Sequence, residues 1–231
     1  MLTLYYARPS LYSRPVWLAL LEKKLTFELV HLKMDGDQFS SEFSQISPFY
    51  RIPVLVDNNL PIIESVAILD HLETKYPNPS LLPKDAETLV KVRMVQMVGL
   101  NELFPAAGGL IIYQKNPSEL EYARQRILRG LTLLEDLLGD NPYFAGEQLT
   151  LAEIVTGTLI PELPRCDIPL TNYPRLSSWC ERLLARESWQ KIRLSDEEFT
   201  NFKRRLGVMR KIWHKRRRQK TLTFAQQNQK V

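Results

Sequence analysis

The chain has only two cysteines, Cys166 and Cys180, in 231 residues. They lie 14 positions apart and lack metal-ligand spacing. The expectation is therefore two reduced, buried thiols in a cytoplasmic protein, with a regulatory disulfide as the alternative. The three histidines, His31, His71 and His214, also lack metal spacing, so no metal is expected. No uninterrupted apolar run approaches the roughly 20 residues that a bilayer requires. Val16 to Leu21 is among the longest, and no transmembrane segment is expected. The opening MLTLYY has no basic stretch ahead of it and reads as a strand, not as a secretory signal. Acidic residues are missing altogether from Phe199 to Val231, where 11 of the 31 lysines and arginines fall. That leaves residues 1–198 with 20 bases against 26 acids, a net of −6. The overall charge of +5 thus belongs to the tail and says little about a ligand of the body.

Hydrophobic residues make up 44% of the chain, enough for two ordinary cores and unlike a disordered composition. Residues 1–80 alternate strand and helix signals. Leu2 to Tyr6 is a β-rich run, and Arg14 to Leu25 carries apolar residues at helical spacing behind Ser13, a plausible N-cap. Phe27 to Leu32 is a second strand, so a right-handed crossover and parallel pairing follow. A short helix near Phe39 to Phe43 precedes Ile52 to Val56 and Leu60 to Ile63, a hairpin around Asn58-Asn59. Ser65 to Tyr76 closes the half as a helix, which makes the order βαβ then ββα.

Residues 81–87 form a linker, and beyond it no convincing strand appears. Helices are expected over Thr88 to Tyr113, with a kink near Pro105 and Gly108-Gly109, and over Ser118 to Leu138, capped by Ser118. Thr150 to Leu159, Pro174 to Ala185 and Trp189 to Arg193 complete an all-α unit over 88–198. Thr150 with Glu153 reads as a capping box. Residues 199–231 are a basic extension, expected to be helical from Glu197 to Arg218 and disordered after it.

Four stretches, in order, resemble the cytosolic glutathione transferases. They are Leu4 to Val16, Ser47 to Leu55 with Glu64-Ser65, Phe144 to Ile154, and Tyr173 to Trp179. The resemblance runs from Leu2 to about Ile192 and is nearest to the serine-using classes, with a bacterial class also open. Pro15 departs from the arginine usual there. It implies an α/β thioredoxin-like domain followed by an all-α helical bundle, with glutathione as co-substrate.

The resemblance implies a cis peptide before Pro53, which would turn the Ile52 backbone toward a peptide-like ligand. An ordinary trans proline at a strand's first residue is the bland alternative. Arg51 and Tyr50 lie beside this edge. Ser65 would cap the next helix and hold the γ-glutamyl carboxylate at the helix end, while Glu64 takes the ammonium. Ser10 falls on the catalytic serine, where a donated hydrogen bond would favour the thiolate over the thiol. Ser13, Tyr5 and Tyr6 are alternates, and Arg8 would either orient the thiolate or meet solvent. Tyr12, Phe104 and Tyr113 are candidates for an electrophile pocket between the domains, although each could equally be core.

Serine at both ends of Ser10-Leu11-Tyr12-Ser13 rules out a dithiol exchange centre at this position. The implied function is conjugation of glutathione to small hydrophobic electrophiles by a cytoplasmic homodimer. A non-catalytic glutathione-fold module and a glutathione-dependent peroxidase or thiol reductase remain open. The basic tail, with Trp213 among its cations, suggests contact with an anionic surface such as a membrane or nucleic acid, or a merely solvated extension.

Overall fold

The computed structural model describes residues 1–228. Four strands, β1 (Leu2–Tyr6), β2 (Phe27–His31), β3 (Val54–Asp57) and β4 (Leu60–Ile63), form one sheet in the order β2-β1-β3-β4. β2 runs parallel to β1, β3 antiparallel to β1, and β4 antiparallel to β3. Alternation along β1 buries Leu2, Leu4 and Tyr6 beneath α1 (Ser13–Glu22) and α3 (Ser65–Lys75). On the opposite face α2 (Ser41–Ile46) brings Phe43 against Ala7, Leu32, Met34 and Val54. Asn58 and Asn59 both have positive φ, 47° and 74°, as a two-residue hairpin turn demands. Buried Asp57 closes this hairpin onto α3, accepting bonds from Lys75 (2.6 Å) and Tyr76 (3.1 Å) and pairing with His71 (2.8 Å).

The second unit is helical throughout. α4 (Ala86–Val98), a π-helical turn (Gly99–Leu103) and α5 (Phe104–Ile112) follow one another without a break. The distortion falls before Pro105, not at Gly108-Gly109. Pro105 has no N–H for the carbonyl of Asn101, and Arg126 donates to that carbonyl instead at 3.0 Å. Ala86–Ile112 contains an 18-residue window with a mean hydropathy of 1.3, apolar enough by length and composition to cross a bilayer, which a search for unbroken runs overlooks. Its most apolar window is 56% buried inside the protein, as befits the core helix of a bundle.

α6 (Pro117–Leu138) is capped by Asn116, with Ser118 bonded to the Asn116 side chain at 2.9 Å in place of capping itself. α7 (Leu151–Thr156) starts at the capping box: the Glu153 carboxylate accepts from the Thr150 amide and hydroxyl, both at 2.8 Å, and from the Phe144 amide at 2.7 Å. α7 stops at Thr156, short of Leu159. Pro161 and Pro164 lack the donors an α-helix needs, and a 3-10 stretch (Ile160–Cys166) takes over. Gly157 is a true close approach, since a Cβ there would meet Leu183 at 2.6 Å, and its carbonyl takes the Trp189 indole at 2.8 Å. α8 (Pro174–Leu184) and α9 (Glu187–Ile192) complete the bundle.

The last helix, α10 (Asp196–Asn228), is 33 residues long and corrects the expectation of disorder after Arg218 as far as Asn228; the remainder of that expectation, over 229–231, lies outside the described residues. It begins on the helical unit, where Arg165 bonds Asp196 at 2.8 Å and lies 4.2 Å from the centre of the Phe199 ring. It then crosses to the sheet-bearing unit. Trp213 donates its indole N–H to the Met34 carbonyl at 2.8 Å and packs with Met209 on the α2-side core.

Candidate functional site

A cleft of about 1030 Å³ opens between the two units beneath α10. One wall is the loop from β1 to α1, carrying Arg8, Ser10 and Tyr12. The next is the loop into β3, with Arg51, Ile52 and Pro53, followed by Glu64 and Ser65 at the head of α3. The opposite wall comes from α4 and α5, including Met97, Asn101, Phe104 and Ile111. α10 roofs it with Phe202, Leu206, Met209, Trp213 and Arg217, among others.

Local bonding explains how each element is held. Ser47 brackets the loop into β3, donating its hydroxyl to the Arg51 carbonyl (2.8 Å) and accepting from the Arg51 amide (3.0 Å). The Ile52–Pro53 peptide is cis, and the β1–β3 ladder begins only at Val54, which leaves the Ile52 backbone outside the pairing. Glu64 adopts φ 66° and flanks α3 without capping it through its side chain; Ser65 is the first helical residue and is buried. The expected cap by Ser65 is therefore not formed, and α3 has no side-chain cap. Glu64, Ser65 and Val66 at the head of α3 line the cleft, and a helix N-terminus favours an anion.

Ser10, not Ser13, serves the start of α1. Its hydroxyl oxygen accepts from the Ser13 amide at 3.2 Å, and its carbonyl accepts from Ser13 (3.2 Å) and Arg14 (3.1 Å). Among the described residues the Ser10 hydroxyl donates to no acceptor, and Ser10 lines the cleft. Ser13 is wholly buried and does not line the cleft. Neither tyrosine alternate reaches it: Tyr5 packs on Phe43 with ring centres 6.0 Å apart, and Tyr6 on Trp17 at 5.1 Å. Burial pushes the Tyr6 phenol up against the opposing pull of Arg8, so it stays protonated. Arg8 lines the cleft and is held by partners. It pairs with Glu198 of α10 at 2.9 Å and donates to the Arg193 carbonyl at 3.0 Å.

Tyr12 stands edge-on to Phe104 at 5.4 Å, and both line the cleft. Burial raises the Tyr12 phenol, Arg51 opposes this and Glu64 adds to it. Tyr113 ends α5 outside the lining, and Tyr50 gives a backbone contact to α10 in place of a cleft side chain. Cys166 is half-buried at the cleft edge, its thiol pushed up chiefly by burial; Cys180 is buried and pushed up further by the same cause. Among the described residues no group of histidine, cysteine and acidic side chains is arranged to hold a metal.

Sequence reasoning missed the α10 side chains and Arg14. Arg14 is buried at the cleft floor, and burial lowers its guanidinium to about 10. The tail's charge and Trp213 were visible, but nothing local reported where they fold.

The fold and site define a protein class: a thioredoxin-like domain joined to a helical bundle, with a peptide-sized cleft between them. Matches to known families carry this further. Residues 4–80 match the glutathione S-transferase N-terminal domain, and residues 68–187 the glutathione S-transferase C-terminal domain. The chain belongs to the glutathione S-transferase family. It is 29% identical over 181 residues to the maleylacetoacetate isomerase of Rattus norvegicus, covering 76% of this chain and 84% of that protein. It is 30% identical over 189 residues to glutathione S-transferase Z1 of Arabidopsis thaliana, covering 78% and 86%. In fold it is similar to Ure2p in complex with glutathione, with a TM-score of 0.76, 22% identity, and 83% and 92% of the two chains covered. α10 lies beyond both family-matched segments.

Proposed function

We propose that the cleft binds glutathione in extended form, and that Ser10 stabilises its thiolate for attack on a small hydrophobic electrophile. The cysteinyl part pairs with the Ile52 backbone as an added strand. The γ-glutamyl carboxylate takes the open amides of α3 at Ser65, and Glu64 takes the ammonium. The observation that carries the reading is the convergence of Ser10, Ile52 and Ser65 on one cleft.

The thiol of glutathione ionises near about 8.5, so little thiolate exists at neutral pH without help. A hydrogen bond from Ser10 favours the charged form. The Ser13 amide bonded to the Ser10 oxygen polarises that hydroxyl and makes it a better donor. The thiolate then forms a carbon–sulfur bond. With an aryl halide, halide leaves with the electron pair; with an isothiocyanate, the nitrogen takes a proton. Tyr12 and Phe104 supply an aromatic wall for the second reactant.

The test is conjugation of glutathione to a model aryl halide and an isothiocyanate, by the native protein and by Ser10→Ala. Loss of a charge-assisted bond worth about 1.5–3 kcal/mol should slow the reaction roughly ten- to a hundredfold at neutral pH. Unchanged turnover would remove Ser10 from the role. Glutathione binding without turnover by the native protein would remove the enzymatic reading.

A second reading is favoured by the isomerase relatives at similar identity. The thiolate adds to an activated cis alkene, the new single bond rotates, and expulsion of the thiolate gives the trans alkene with glutathione regenerated. Isomerisation without consumption of glutathione distinguishes this from conjugation. The proposal also takes residues 1–80 and 88–198 as the two domains of a cytoplasmic homodimer; sedimentation at micromolar concentration tests the dimer.

A further inference from the structure

We infer that Arg217 of α10, together with Arg51, forms a clamp for the carboxylate at the glycine end of glutathione, so that the basic extension completes the tripeptide site. This rests on the glutathione reading above. The direction of the peptide follows from that site. With the γ-glutamyl head at Ser65 and the cysteine beside Ile52, the chain must leave Ile52 on the side away from α3, toward Arg51 and Tyr50. Its terminal carboxylate has to come to rest there.

That corner is where the far half of α10 lands. Arg217 donates to the Tyr50 carbonyl at 3.2 Å, and both Arg217 and Arg51 line the cleft. Trp213, one turn earlier, is bonded to Met34 at 2.8 Å and fixes the helix over this corner. Arg216 lies 5.7 Å from the centre of the Phe39 ring, which holds the helix to the same loop region. The two guanidiniums are therefore brought together by parts of the chain more than 160 positions apart, since Tyr50 and Arg217 are 167 apart. Burial lowers the proton affinity of Arg217, and the charge of Arg51 lowers it further. A bound carboxylate reverses this balance, because one anion offsets two neighbouring cations and accepts from both forks.

α10 lies outside both matched family segments, so nothing in those segments supplies Arg217. It also accounts for part of the tail's charge without an external partner.

The experiment is titration calorimetry of the full chain with glutathione and with its monoethyl ester, blocked at the glycine carboxylate. The native protein should bind glutathione at least about tenfold more tightly than the ester, the size of one charge-assisted contact. Arg217→Gln should weaken glutathione by a similar factor and leave the ester unchanged, so that the preference collapses to about twofold or less. The exposed Lys215→Gln removes the same charge from the same helix and should keep the full preference. Retention of the preference in Arg217→Gln, equal weakening of both ligands, or an equal effect of Lys215→Gln would overturn the clamp. Failure of the native protein to bind either ligand would overturn the glutathione reading itself.

Discussion

The first 195 residues and α10 are held in place by different forces. The body is a continuous apolar core in which Leu4, Leu18, Leu69, Leu103 and Trp179 have essentially no exposed surface. α10 exposes Val208 and Ile212, and it is attached through discrete contacts: Arg8 with Glu198, Arg165 with Asp196, Trp213 with Met34, Arg217 with Tyr50. Core burial is cooperative and non-directional, whereas anchors of this kind act one at a time. The body should therefore unfold as a unit, and α10 should come away at much lower free energy.

The sharpest way to break this contrast is inside the body. Glu153→Ala strips acceptors from two amides and one hydroxyl in a wholly buried place, and should lower stability by about 2–4 kcal/mol in urea unfolding. A loss under about 1 kcal/mol would show that the capping box is not a fixed point of the core.

Asp57 offers a pH-resolved test. Burial works to raise its carboxyl, but bonds from Lys75, His71 and Tyr76 outweigh it and hold the group below its ordinary value of 3.8. Its contribution is therefore complete above 3.8 and vanishes as pH falls through the depressed native value. Asp57→Asn should lower stability at pH 7 by about 1–3 kcal/mol and flatten the acid side of the stability profile, read by thermal unfolding from pH 2 to 7.

On α10 the expected effects are smaller and local. Trp213→Ala should cost the whole molecule about 1 kcal/mol or less, while amide exchange across the second half of α10 speeds at least about tenfold. A large global loss would make α10 part of the cooperative core. Ile212→Gln, on the exposed face, should change stability by no more than about 0.5 kcal/mol.

The same contrast explains what could be read in advance. Apolar periodicity marked α1 because its apolar side chains are buried against near neighbours. The Asn58-Asn59 turn and the Thr150–Glu153 box were legible because their chemistry is local. Errors fell where hydrogen-bond supply is redirected by distant groups. The distortion expected near Pro105 is present and completed by Arg126, but none falls at Gly108-Gly109, and the cap of α6 belongs to Asn116 instead of its neighbour Ser118. Ser10 and Ser13 were both visible, but which one faces the cleft depends on where α1 starts. The placing of α10 was beyond reach, because Trp213 finds Met34 across 179 positions and no local pattern encodes that meeting.

α10 begins on one domain and fastens to the other, so it spans the mouth of the cleft like a bolt across a door. Its 33 residues reach about 50 Å end to end, ample for the crossing. The gap between the domains is thereby fixed by a third element, and a molecule assembled beneath it must leave sideways or wait for the bolt to lift. Crowded products would feel that delay more than the reactants that formed them.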